Sequence, residues 1–282
     1  MTSKYIMTTQ SADRTGIVAA LTSCLARHDG FINALSQFGT PGSERFFSRI
    51  DFTMADESLN AFKADLQSDI ENFNLDVDII PKDRPVKTLI MVSKFDHCLA
   101  DLIYRQRSKS LNIDIVGIVS NHEDARLLAE TDNIPFHHIP VTKSNKPKAE
   151  AKLRNIIKET DAELIVLARY MQILSDSFCT DFSGQIINIH HSFLPSFKGA
   201  KPYHKAYARG VKLIGATAHY VTKDLDEGPI IDQSVQRVDH TMTPDELVRL
   251  GRDVEAQTLA RAIAAHAEHR AFINGIKTVI LP

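Results

Sequence analysis

About a third of the way along the chain the spacing of apolar positions changes. Before that point they fall into short alternating runs, KYIMTTQ, FINALSQFG, ERFFSRIDFTMA and LDVDII. Alternation sends successive side chains to opposite faces, so each run predicts a half-buried β-strand. Between them, GIVAALTSCLARHDG repeats Ile17, Leu21, Cys24 and Leu25 on one helical face. Asp13 precedes this helix as a candidate acceptor for its first amides, and Gly30 is placed to stop it. SLNAFKADLQSDIENF predicts a second helix, and PGS, 41–43, a hairpin turn between the middle strands. The resulting order, βαββαβ, is that of a ferredoxin-like sandwich.

The segment PKDRP, Pro81–Pro85, then reads as a linker. Beyond it the runs VKTLIMV, IDIVGIVS, ELIVLAR and IINIH are almost continuously apolar, with the short FHHIPV among them. Amphipathic stretches such as HCLADLIYRQRSK and AEAKLRNIIKET separate them, and a long helix from PDELVRL to HRAF is expected to end the chain. Strands buried on both faces and alternating with helices predict a Rossmann-like, mostly parallel α/β domain. The expectation is therefore two domains, 1–82 and 86–282, in a chain of 282 residues. Ligands of such sheets bind beyond the carboxyl ends of the strands, which directs attention to the turns after LIMV, LIVL and IINI.

Charge narrows the functional classes. A formal charge of -2 supplies no basic field for nucleic acid. No apolar run approaches the ~20 residues that cross a bilayer, and the amino terminus lacks a cationic leader, so a cytoplasmic protein without membrane partners is expected. Cys24, Cys98 and Cys179 lie far apart without CxxC spacing and predict buried thiols rather than disulfides or a zinc site.

The turn after LIMV, SKFDHCL, lacks the glycines that let backbone amides approach a phosphate. The turn after LIVL, ARYMQIL, reads on its own as a helix-entry loop with Tyr170, Met171 and Ile173 packed inward. The turn after IINI carries more chemistry. Asn188 and His190 are two apart on a strand, so an amide and an imidazole point the same way and can converge on one oxygen. Such donors stabilise a developing oxyanion, and an imidazole also moves protons near neutral pH. The loop of ATAHYVTKDLDEGPIIDQ offers Asp224, Asp226 and Glu227 as the accompanying carboxylate. His191 would face away from His190 if the strand persisted, and neither it nor His219 has the spacing of a zinc protease motif, so no metal is expected.

INIHHSFLPSFKGAKPYH together with HYVTKDLDEGPI resembles the formyltransferase family that uses 10-formyltetrahydrofolate, over roughly Val86 to Val238. The resemblance implies Asn188, His190 and Asp226 as catalytic residues and leaves Asp224 a solvated loop residue. It implies a folate pocket shaped by Arg169, Tyr170, Met171, Ile173, Leu174, His219, Val221 and Thr222. The folate is then substrate rather than cofactor, and no cofactor is needed. The first segment resembles an ACT domain through Asp13, Arg14, Gly16 and Ile17 ahead of HDGFIN, although Thr15 stands where proline is frequent. That likeness implies an amino-acid effector near Asp13, Gly16, Ile17 and Asn33. An ACT-like domain fused to such a core, without a phosphate cradle or a tRNA-binding extension, resembles the formyltetrahydrofolate deformylase branch. It implies water as acceptor, formate and tetrahydrofolate as products, and a role in supplying formate for purine biosynthesis and balancing folate pools. A homo-oligomer, dimer or tetramer, is expected with it.

Overall fold

The computed structural model describes residues 1–40, 44–192 and 202–282. The chain groups into two compact units, Met1–Arg84 with Glu268–Asn274 and Val279–Pro282, and Pro85–Ala267 with Gly275–Thr278.

The first unit runs β1 (Thr2–Ala12), α1 (Ile17–Arg27), β2 (Phe31–Thr40), β3 (Arg45–Ala55), α2 (Leu59–Phe73) and β4 (Asp76–Pro81). Its antiparallel sheet has the order β2-β3-β1-β4, the arrangement of a split βαββαβ sandwich. Both helices bury one stripe against the sheet: Ile17, Leu21, Cys24 and Leu25 from α1, Phe62 and Leu66 from α2, against Tyr5, Met7, Ile50, Phe52 and Met54. Asp13 does not cap α1 as expected. The helix begins after Gly16, whose φ of 102° only glycine adopts without strain, and no side chain caps it. Nor does Gly30 supply the left-handed stop. That conformation falls on Asp29, at φ 55°, while Gly30 is needed because a Cβ would lie 3.0 Å from the Leu25 carbonyl. The PGS turn lies outside the described residues.

The carboxyl-terminal boundary also differs from expectation. The long helix stops at Ala267, and β12 (Ala271–Asn274) and β13 (Lys277–Ile280) follow as a hairpin turning at Gly275-Ile276. The physical reason is the uncovered sheet face of the first unit: Phe47, fully buried on β3, packs with Phe272 and Leu281, and Arg49 donates to the Glu268 carbonyl at 2.9 Å. A glycine opening a two-residue loop between two apolar runs is a hairpin signal in its own right.

The second unit runs β5 (Val86–Val92), α3 (His97–Arg107), β6 (Ile113–Ser120), α4 (Arg126–Thr131), β7 (Phe136–His138), α5 (Lys146–Thr160), β8 (Leu164–Leu167), α6 (Asp176–Asp181) and β9 (Ile186–His190). It continues through α7 (Pro202–Arg209), β10 (Leu213–Tyr220), β11 (Ile230–Arg237) and α8 (Pro244–Ala267). The sheet order is β11-β10-β9-β8-β5-β6-β7, parallel from β9 to β7. The β10 strand then returns antiparallel to β9, with β11 antiparallel to β10. Among the described residues no helix is long and apolar enough to cross a membrane, and all three cysteines are buried and free.

Phe272→Ala tests the assignment of the terminal strand. Removing this ring from against Phe47, 5.6 Å away between centroids, is expected to destabilise the first unit by about 3 kcal/mol. Denaturant unfolding followed by circular dichroism measures it; an unchanged midpoint would detach the terminal strand from the core.

Candidate active site

Two carboxyl-end turns of the parallel strands and the loop that follows the antiparallel strand β10 meet one cavity of about 670 Å³. The first follows β8. Arg169 stands there at φ 65°, and this left-handed backbone costs a side chain with a Cβ about 1 kcal/mol or more. The turn is held at both ends: the Met171 amide donates to Ser93 Oγ at 3.0 Å, and the Ser175 amide to buried Glu150 at 2.8 Å. Ser175 then caps α6 through the Phe178 amide. Fixed in this way, the turn packs Tyr170 inward against the core as its own sequence suggests, but not Met171 and Ile173. Met171 and Ile173 are 55% and 64% exposed, and both line the cavity.

The second turn follows β9. Asn188 pairs across the strands with His219, and His190 with Thr217. The Asn188 Nδ2 donates to His219 Nε2 at 3.2 Å. An amide nitrogen can only donate, so His219 Nε2 is the bare nitrogen and Nδ1–H donates to the Tyr220 carbonyl at 2.8 Å. His190 is 7% exposed, and its ring stacks on that of His191, centroids 5.0 Å apart.

The third contributor is the loop 221–229 between β10 and β11. It can fold back only because residue 228 is glycine: a Cβ there would fall 1.8 Å from the Tyr220 carbonyl oxygen. The loop sets Asp226, itself at φ 58°, so that Oδ2 lies 3.2 Å from His190 Nδ1 and Oδ1 lies 3.8 Å from His219 Nε2. Burial pushes the Asp226 carboxyl up, but the two histidines beside it, His190 first and then His219, outweigh it and hold the group well below the ordinary carboxylate range. With Nδ1 committed to Asp226, the His190 Nε2 is left buried and without a hydrogen-bond partner among the described residues. A buried nitrogen in that condition is costly, and it sits in a residue lining the cavity.

Every residue expected in the folate pocket lines this one cavity: Arg169, Tyr170, Met171, Ile173, Leu174, His219, Val221 and Thr222, together with Asn188, His190 and Asp226. Asp224 lines it as well. Of the motif loop Ser192 to Pro195 only Ser192 is among the described residues. The four expected effector residues behave differently. Ile17 is a core side chain, 1% exposed, closed to a ligand by α1 packing on the sheet. Asn33 donates to Asp51 and Thr53, while Asp13 and Gly16 form the turn into α1.

Sequence reading missed Glu255 on α8, which also lines the cavity and is 1% exposed. Tyr203 Oη donates to it at 2.6 Å, His97 Nε2 at 2.9 Å, and Arg169 Nε stands 3.3 Å away. Burial pushes its carboxyl up, and these three partners together hold it below its ordinary value. The available signal was an acid at an inward helical position beside Val254, Thr258 and Leu259. His97, Cys98 and Glu255 lie close enough to hold a cation, but the set does not suit one: burial and Glu255 push the Cys98 thiol well up, and the Arg169 cation already faces Glu255.

A family model described as formyl transferase matches residues 86–263. A protein of Corynebacterium sp. (strain P-1) named formyltetrahydrofolate deformylase is 49% identical, covering 99% of this chain and 98% of its own. The crystal structure of a formyltetrahydrofolate deformylase from Burkholderia mallei superposes with a TM-score of 0.95 at 48% identity, over 99% of each chain. A glycinamide ribonucleotide transformylase from Symbiobacterium toebii matches 71% of this chain and 95% of its own, with a TM-score of 0.66 at 27% identity.

The depressed Asp226 carboxyl sets a pH dependence. A group whose folded pKa lies below its unfolded value stabilises above the ordinary value, 3.8, and loses that contribution as pH falls through the folded pKa. The gap in urea midpoint between the native chain and Asp226→Asn is therefore expected to be largest near neutral pH and to shrink below 3.8. A gap independent of pH would mean that the histidine contacts do not hold the carboxylate.

Proposed function

The chain belongs to the formyltetrahydrofolate deformylase family, and from that membership we infer that its cavity hydrolyses 10-formyltetrahydrofolate to formate and tetrahydrofolate. The single observation that carries the mechanism is the orphaned His190 Nε2 beside a folate-sized cavity, with Nδ1 tied to Asp226. Asp226 fixes the ring with Nδ1–H inward and Nε2 bare. The interactions that keep Asp226 ionised make it a poor proton acceptor, so it holds the ring through Nδ1 and stabilises the imidazolium that forms when His190 Nε2 takes the water proton. As the water oxygen bonds to the formyl carbon, the carbonyl oxygen becomes an oxyanion. Asn188 receives it: one Nδ2 hydrogen is spent on His219, and the other remains to donate. His219, locked by the Tyr220 carbonyl, positions that amide. The tetrahedral intermediate then collapses, the bond from carbon to N10 breaks, and the proton on His190 passes to N10. Formic acid leaves as formate, its proton going to solvent.

The exposed Met171 and Ile173, with Tyr170, Leu174, Val221 and Thr222, supply an apolar wall and backbone groups for the folate rings. The mechanism uses no metal, because the Asn188 amide receives the oxyanion and the His190 imidazole carries the proton. It suits a cytoplasmic enzyme that supplies formate to purine biosynthesis and balances one-carbon folates.

The first unit is read as a regulatory ACT-type domain. Its support is the βαββαβ order with strands β2-β3-β1-β4 and the Asp13-Arg14-Thr15-Gly16-Ile17 turn. Its edge strand β2 exposes Phe31, Leu35 and Phe38, apolar surface that a second copy of the chain would cover in a dimer or tetramer.

Asn188→Ala, His190→Ala and Asp226→Ala are each expected to lower formate release by about 10²-fold or more with folate binding largely kept. Formate measured without added amine checks this, and full activity in any variant would remove that residue from the mechanism. In the same assay, dialysis against a chelator is expected to leave the rate unchanged; loss restored by zinc would overturn metal-free hydrolysis.

Glycine or methionine, both linked to one-carbon supply, is expected to bind the full chain and change the rate by about five-fold or more, the scale of a coupling of 1 to 3 kcal/mol. Titration calorimetry beside the rate assay reads both effects. Absence of heat and of any rate change with either amino acid would make the first unit a structural domain only.

A further inference from the structure

One wall of the cavity is built at a cost that fold stability does not explain. Arg169 holds a long side chain on a left-handed backbone. Its side chain is 11% exposed, and its Nε and Nη1 are buried without hydrogen-bond partners among the described residues. The paired Glu255 is more deeply buried still and is clamped by His97 and Tyr203. A buried ion pair short of hydrogen bonds stabilises no better than apolar side chains of the same volume. Further bracing surrounds it. The Phe95 ring lies 5.9 Å from the Arg169 guanidinium carbon and 5.4 Å from that of Arg252. Tyr203 seats on a glycine, since a Cβ at Gly251 would come within 2.1 Å of its ring. All these side chains line the cavity that holds Asn188, His190 and Asp226.

We propose that Arg169 and Glu255, braced by His97, Tyr203 and Phe95, form a wall that excludes amine acceptors and leaves water as the nucleophile. The proposal rests on the deformylase reading of the site and adds to it the basis of acceptor choice. The fold does not itself dictate water, since the related chain named glycinamide ribonucleotide transformylase shares it. With an amine, the nitrogen would bond to the formyl carbon, the bond to N10 would break, and the amine proton would pass through His190 to N10. No step of that exchange needs a reagent beyond those of hydrolysis. What an amine needs in addition is room beside the formyl carbon and an acceptor for its remaining hydrogen. The wall denies both: its volume is occupied, Glu255 is saturated by its own partners, and the Arg169 cation repels an ammonium ion. Exclusion by an occupied and charged surface is specificity obtained against the competitor rather than for the substrate.

The test is product partition in one reaction containing 10-formyltetrahydrofolate and glycinamide, with formate and N-formylglycinamide both quantified by mass spectrometry. The native chain is expected to give formate almost alone. Arg169→Gly with Glu255→Gln relieves the backbone strain and leaves no lone charge buried, and is expected to raise the ratio of formylglycinamide to formate by about ten-fold or more. The ratio is independent of any fall in total turnover. An unchanged ratio in a folded double variant overturns the proposal. So does loss of both products with folate still bound, which would make Arg169 part of the chemistry instead. If the double variant does not fold, Phe95→Ala removes the brace alone, with the same rise expected and an unchanged ratio equally decisive. Formate release by the native chain without amine tests the deformylase reading separately, so the two failures are distinguishable.

Discussion

The antiparallel join between β9 and β10 is the constraint on which the site depends. Up to β9 the sheet is parallel, and its strand ends deliver side chains to a common rim. At β10 the direction reverses, so His219 comes to lie opposite Asn188, and the chain leaving β10 must turn back beside β9. Gly228 permits that return at a separation no other residue allows. The carboxylate Asp226 reaches His190 because of the strand register; neither residue is close to the other in sequence.

From that contact the electrostatics follow in order. Asp226 determines which nitrogen of His190 carries hydrogen, and the bare Nε2 becomes the group available for proton transfer. His219 does for Asn188 what Asp226 does for His190, through a tautomer fixed by the Tyr220 carbonyl. One donor and one base are thus preorganised by partners that themselves have little freedom, which is how a site stabilises developing charge without reorganising at the moment of reaction. Elsewhere in the cavity lining, Glu255 shows the converse use of burial: its oxygens are committed to Tyr203, His97 and Arg169 and none is left for a ligand.

Much of the architecture was legible in periodicity. Alternating runs before Pro81 and near-continuous runs after Val86 distinguished the two sheets, because burial acts on the same side chains that set the pattern, although β3, expected to be half-buried, is covered on both faces from Phe46 to Phe52. The loss of legibility at the ends of elements has a local cause. At α1, Gly16 and Asp29 took the special backbone positions expected to involve Asp13 and Gly30. After Ala267, a hairpin went unread beside the stronger helical signal that precedes it. Its strand serves a distant sheet, and no local pattern records the demand of Phe47 for a partner.

The sequence alone determined the chemistry that was possible: an amide and an imidazole two apart at a strand end, a carboxylate after a second strand, and no glycine cradle after the first. Those are properties of residue type and of the two-residue repeat of a strand, and they are local. Tertiary structure alone decided which carboxylate meets His190, which imidazole nitrogen is left bare, and that Met171 and Ile173 face a cavity instead of a core. It also decided that Glu255, a helix residue far along the chain, stands against Arg169. These outcomes depend on strand register, on the closure of one loop over glycine, and on helix packing across the sheet, and each is set by contacts between residues that the sequence holds far apart.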